Sequence, residues 1–242
     1  MRVRSWLLTP LRVLVLAALA AGSAAITAAS LAYFGEELAP FVVEKLPLPL
    51  EDVWMLALRV HVVAASVCLP GCLLLSLRIV IRRPRLHRWL GRVTASAVLL
   101  ALVPSGLYLS WFAKGGLPST LGFMLSGAIV ATAMVQGVRT AWARRFVEHR
   151  RWVLHVLAQL SVAVTSRAML IAFDAAAVDE QLAYLVSLWL PVVGSFALVE
   201  LLCLRTRTRT RTAPSPRRIH EAPVDARPAP VLSYDLRRAH GG

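Results

Sequence analysis

The sequence predicts an all-α integral membrane protein of six transmembrane helices with a basic tail, and three observations carry that prediction. The 242 residues are 57% hydrophobic with a mean hydropathy of +0.64, well above the mixed composition of soluble domains. The formal net charge is nevertheless +14, which a membrane protein reconciles by confining charge to connections and tail. Finally, uncharged or nearly uncharged apolar runs of the ~20 residues needed to cross a bilayer recur at 11–34, 54–81, 90–112, 119–142, 152–174 and 182–204. Nucleic-acid binding would explain the charge but not these runs.

The first run follows Arg2, Arg4 and Arg12 and contains AAGSAA. A cleaved signal peptide shares that plan, but here the apolar stretch continues through Ile26 and Leu31, long for a signal core, so it reads as a span. The second run follows Glu51 and Asp52 and carries Arg59, His61 and the string CLPGC. Cys68 and Cys72 share a helix face as small contact residues. With Cys203 they form no disulfide framework or zinc spacing, and no metal site is expected. Ser105 and Tyr108 lie late in the third run. His155, Gln159 and Arg167 lie in the fifth, and Glu200 near the end of the sixth, placed to pair with a loop arginine. Residues 205–242, opening RTRTRTRTAPSPRR, have no apolar period and read as a disordered tail on a 1–204 membrane domain.

Charge orients the spans. Of 27 basic residues, all but Lys45, Arg59, Lys114 and Arg167 fall before span 1, around the 2–3 and 4–5 turns, or after span 6. The alternate connections carry Glu36, Glu37, Glu44, Glu51, Asp52, Asp174, Asp179 and Glu180. The positive-inside rule then makes both termini cytoplasmic. Arginines beside the last span should attract anionic lipid headgroups by about 1 kcal/mol each.

Two of the basic turns are written alike. RRPRLHRW at 82–89 and RRFVEHRRW at 144–152 share Arg-Arg-x-x-x-His-Arg at an offset of 62, which maps His87 onto His149. Equal offset and equal orientation predict two parallel hairpin repeats, spans 2–3 and 4–5, related by an axis along the membrane normal. They would form a four-helix core with spans 1 and 6 outside. Topology explains the arginines, and Trp89 and Trp152 suit interface anchors, but topology does not explain the histidine spacing.

His61, then RRPRLHRWLGR at 82–92, HRRW at 149–152 and Arg167 together resemble a family of predicted bacterial membrane proteins, domain of unknown function 2306. The resemblance covers about 55–175. It implies the fold and a bacterial inner-membrane location, and no particular activity or catalytic residue. His155 stands where that family tends to have arginine.

Ionisable groups within a bilayer are costly and hence functional candidates. At 1.5 Å per residue, His61 lies roughly 14 Å from Asp52 and Arg167 about 10 Å from Asp174. Ser105, the repeat mate of Arg167, and Tyr108 reach a similar level. His61, Arg167, Arg59, Ser105 and Tyr108 therefore form a candidate pocket for a lipid headgroup, a quinone oxygen or an anionic small molecule. The alternative is a hydrogen-bonded cluster with both arginines reaching toward Asp52 and Asp174. His155 and Gln159 share a face and could extend an inner site.

Two function classes follow, and a structural subunit of a larger complex is a third. Binding or transport of a lipid-like or anionic ligand needs no cofactor. A b-type haem or quinone-linked electron-transfer protein, similar in layout to the cytochrome b561 superfamily, would draw axial ligands from His87, His149 and His155. Its outer level is incomplete, because His61 faces a repeat mate, Phe123, that cannot ligate. No nucleophile–base pair or phosphate loop supports hydrolysis.

Overall fold

The computed structural model describes residues 3–35, 40–48 and 50–211, with side chains at 10–35, 42–48 and 50–204. Among them six helices are long and apolar enough to cross a membrane. Span 1 is Pro10–Phe34, span 2 Glu51–Leu75, span 3 Pro84–Ser110, span 4 Leu117–Trp142, span 5 Phe146–Ala175 and span 6 Glu180–Leu204. The chain is an all-helical, multi-pass membrane protein. Contacts divide it into units 1–204 and 205–242. The last helix is continuous to Arg211, and the remainder of the expected tail, 212–242, lies outside the described residues, as do Glu36 and Glu37.

From its third residue on, the doubled phrase is helix, where the hydropathy runs placed it in loops. Span 3 begins at Pro84, six residues before the apolar run, because proline is pre-set for the first helical position and needs no N–H partner there. Span 5 begins at Phe146, again six residues early. Span 2 ends earlier than expected, at Leu75. The Ser76 hydroxyl donates to Cys72 O at 2.9 Å, and a separate one-turn helix, Arg78–Ile81, follows.

Span 3 is also interrupted. Its middle, Val98–Leu102, is a π-helical turn, with the Val103 N–H reaching back to Val98 O. Pro104 has no N–H for Leu100 O, and its ring would strike that carbonyl in a regular turn; widening the turn relieves the clash.

The largest buried apolar cluster draws on four spans: Ala64, Cys68 and Cys72 of span 2, Val98 and Leu102 of span 3, Val130 and Met134 of span 4, and Val156 of span 5. Span 1 rests against spans 2 and 5. Gly22 allows that approach, since a Cβ there would collide with the Val164 side chain. Span 6 is seated through Leu188 and Val192 against Ile129 and Val162.

Candidate functional site

Polar side chains collect at two levels, one toward the acidic connections and one toward the arginine-rich turns. At the acidic-end level His61 of span 2 meets span 3: its Nδ1 lies 3.2 Å from Ser105 Oγ. The Ser105 hydroxyl proton is already committed, donated to Ala101 O at 2.6 Å, so Ser105 accepts and His61 Nδ1 carries the hydrogen. The Leu102 carbonyl, in the widened turn, also lies against the ring. Nε2 is therefore left with a lone pair. Gly106 admits the imidazole, because a Cβ there would stand 3.0 Å from His61 Cε1 and 3.3 Å from Nδ1.

Arg167 is exposed and folds back along span 5, with Nη1 donating to Ala163 O at 3.0 Å. This direction is away from Asp174, so the reach toward that carboxylate expected from the sequence does not occur. Its charge lies within electrostatic reach of His61 on span 2 and Tyr184 on span 6. Among the described residues no carboxylate pairs with it.

Arg59 and Tyr108 are set apart from this cluster. Two residues on a helix are ~200° of rotation, so Arg59 emerges on nearly the opposite side of span 2 from His61. Arg59 Nε donates to Tyr33 O at 3.1 Å, and its guanidinium carbon stands 6.0 Å from the centre of the Phe34 ring. Below it a groove of about 390 Å³ runs between spans 2 and 3, lined by Val63, Val67, Ala97 and Ala101. Tyr108 packs beside Trp54 and Leu58, with its ring 5.4 Å from that of Phe112. The five residues thus form a His61–Ser105 pair with Arg167 nearby, a separate Arg59 groove, and an aromatic cluster.

At the arginine-rich level the two histidines of the doubled phrase come within electrostatic reach of each other. His149 Nδ1 donates to Gly137 O at 2.8 Å, while His87 Nδ1 is buried without a hydrogen-bond partner. His155 belongs to another network. It is 1% exposed, and its Nε2 lies 2.8 Å from Glu200 Oε1. Arg151 Nη2 donates to both Glu200 oxygens at 2.7 Å. Glu200 therefore takes the arginine partner expected of it. One turn deeper, Gln159 Nε2 donates to Val192 O at 2.9 Å and to Ser195 Oγ at 3.0 Å, and its Oε1 accepts from Ser126 at 3.1 Å. These contacts join spans 4, 5 and 6 into a structural tie, in which His155 Nδ1 is buried without a hydrogen-bond partner among the described residues.

Three features escaped the sequence reading. Gly106 and Tyr184 lie within apolar runs with no motif to mark them. Lys114 salt-bridges Glu44 at 3.0 Å and Glu180 at 2.7 Å, tying its own connection to the two acidic ones. The hydrogen bond to Glu180, then that to Glu44, holds its ammonium above the ordinary lysine range.

A family profile described as "Predicted membrane protein (DUF2306)" matches residues 58–203, more than half the chain. The chain belongs to the DUF2306 family. The match runs from the turn containing Arg59 and His61 to the end of span 6 and includes both copies of the doubled phrase. No curated protein and no solved structure matches the chain. The DUF2306 description names a membrane protein and no activity, so function is argued from the residues.

Proposed function

We propose that this DUF2306 protein binds an anionic, lipid-like small ligand at Arg167 and His61, in the outer half of a bacterial inner membrane, with both termini cytoplasmic. One observation carries the reading. Arg167 stands roughly 10 Å inside the end of its span, its partner among the described residues a backbone carbonyl, and its charge acts on the His61 ring. An arginine in hydrocarbon is costly unless it is paired or hydrated, so an anionic group from outside the chain is the natural partner. The lone pair on His61 Nε2 suits a ligand that also carries a hydroxyl donor, and the Ser105 contact holds the ring in place for it.

The test is native mass spectrometry of the protein purified with its membrane lipids. Wild type should retain an anionic amphiphile that is lost from Arg167→Gln and reduced in His61→Phe. Losing one hydrogen bond to a charged group, worth about 1.5–3 kcal/mol, weakens binding by roughly tenfold or more. Retention unchanged in both variants, with both still folded, sinks the reading.

The two-hairpin plan is proposed with it. Two local geometries support the repeat: the His87 and His149 N–H groups bond Arg83 O and Arg145 O, each at 2.9 Å. Span starts Pro84 and Phe146 keep the offset of 62, and buried Cys68, Cys72 and Thr94 map onto buried Val130, Met134 and Val156. The 205–242 tail is proposed to remain disordered beyond its helical start and to meet anionic headgroups.

A second reading, b-type haem and electron transfer, rests on His87 and His149. A histidine whose Nδ1–H is held by a carbonyl presents Nε2 as a ligand atom, and His149 has that arrangement. A visible spectrum of protein expressed with haem available separates the readings: a reducible Soret band favours haem, and a colourless folded preparation removes it.

A further inference from the structure

The groove beneath Arg59 is distinct from the His61–Arg167 site, since it opens on another face of span 2. Three properties describe its occupant. It is apolar along its length: Val63 and Val67 form one wall and Ala97 and Ala101 the other. Alanines on span 3 leave a channel where larger side chains would have closed the helix contact. From Arg59 to Val67 it runs eight residues, roughly 12 Å along the helix, so it accepts an extended apolar chain. Its mouth holds a single charged group.

That group is oriented for an external anion. Arg59 spends its Nε on the Tyr33 carbonyl and rests over the Phe34 ring, which fixes the guanidinium plane. Both Nη groups remain for two oxygens of one phosphate, the forked geometry that arginine offers and lysine does not. Among the described residues no carboxylate pairs with Arg59. A positive fork held against Tyr33 and Phe34, where span 1 ends, with an apolar channel directly below it has the shape and charge of a phospholipid's complement. We propose that the groove holds one acyl chain of an anionic phospholipid whose phosphate sits on Arg59. The bound lipid fills the gap between spans 2 and 3 and neutralises an arginine that no carboxylate among the described residues pairs.

The test uses the full chain in vesicles of phosphatidylglycerol carrying a photoreactive diazirine on its acyl chain, with labelled residues mapped by mass spectrometry. Labelling should concentrate on 60–67 and 97–101 relative to exposed leucines of span 6 such as Leu198 and Leu202. Arg59→Gln should lower groove labelling by about tenfold, the size of one lost charge-assisted contact, while span 6 labelling stays unchanged. Arg59→Lys, which keeps charge but not the fork, should fall between them. Val63→Trp fills the channel and should displace label from Ala97 and Ala101 even if Arg59→Gln fails to fold. Arg167→Gln should leave the groove signal intact, so this proposal and the His61–Arg167 reading can fail separately. Even labelling of all lipid-facing spans overturns the proposal. So does groove labelling indifferent to Arg59 and Val63, an Arg167→Gln effect as large as that of Arg59→Gln, or a groove shielded by a second copy seen as a dimer.

Discussion

At the scale of single residues, position around a helix decides what depth along it does not. Arg59 and His61 sit at nearly one level, and depth alone grouped them. The ~200° between them sends one to a lateral groove and the other to Ser105. Gly106 leads to a direct prediction. A Cβ there already stands 3.0 Å from His61 Cε1, so Gly106→Val should drive the imidazole off Ser105 and abolish retention of the ligand, while Gly91→Val, where nothing lies within 4 Å, should not. Ligand retention unaltered in Gly106→Val would show that the His61 ring position is immaterial. Glu200→Leu leaves Arg151 and buried His155 without their acceptor, and should cost about 1–3 kcal/mol of stability, read as a lower melting temperature in detergent; no change would mean the tie is ornamental. Lys114 carries a pH prediction. Its pKa is raised by folding, so its contribution is complete below the unfolded value of about 10.4 and is lost as pH rises through the higher folded value. The melting-temperature gap between wild type and Lys114→Met should hold from about pH 7 to about pH 10 and narrow only above that. A gap that closes near neutrality contradicts the clasp.

At the scale of elements, the sequence was most legible where composition changes and least where a helix changes its winding. Six spans were readable because a ~20-residue apolar run has few other uses. The arginine-rich starts of spans 3 and 5 were not, because hydropathy treats Arg82–Trp89 as loop, whereas the backbone begins its helix at Pro84. Moving those six residues into spans 3 and 5 puts His87 and His149 in first turns, where their N–H groups close identical bonds. The widened turn of span 3 was hidden too. Pro104 signals a disturbance, but not that it resolves as a π turn placing the Leu102 carbonyl and Ser105 beside His61. Pro104→Ala removes the ring clash and restores a missing N–H, so the turn should tighten. Residues after it rotate relative to His61, and ligand retention should fall while the melting temperature holds or rises. Retention and stability falling together would assign Pro104 a packing role instead.

At the scale of the whole molecule, both proposed ligands take their side of the membrane from one inference. The orientation proposed from the arginine asymmetry has the doubled phrase and both termini in the cytoplasm, and with it the Lys114 clasp, the Arg59 groove and the His61–Arg167 site outward. The family match supports a membrane protein over residues 58–203 and carries no direction. Two positions report it cleanly. Leu86 is 41% exposed beside the first phrase, and Ala176 is exposed in the connection after span 5. Cys68 and Cys72 are buried, so replacing Cys203 with serine leaves a quiet background for single cysteines. In intact cells a membrane-impermeant maleimide should label Ala176→Cys at once and Leu86→Cys only after the membrane is opened. Leu86→Cys labelled in intact cells, with Ala176→Cys protected until the membrane is opened, would contradict the orientation and move both binding sites to the cytoplasmic side.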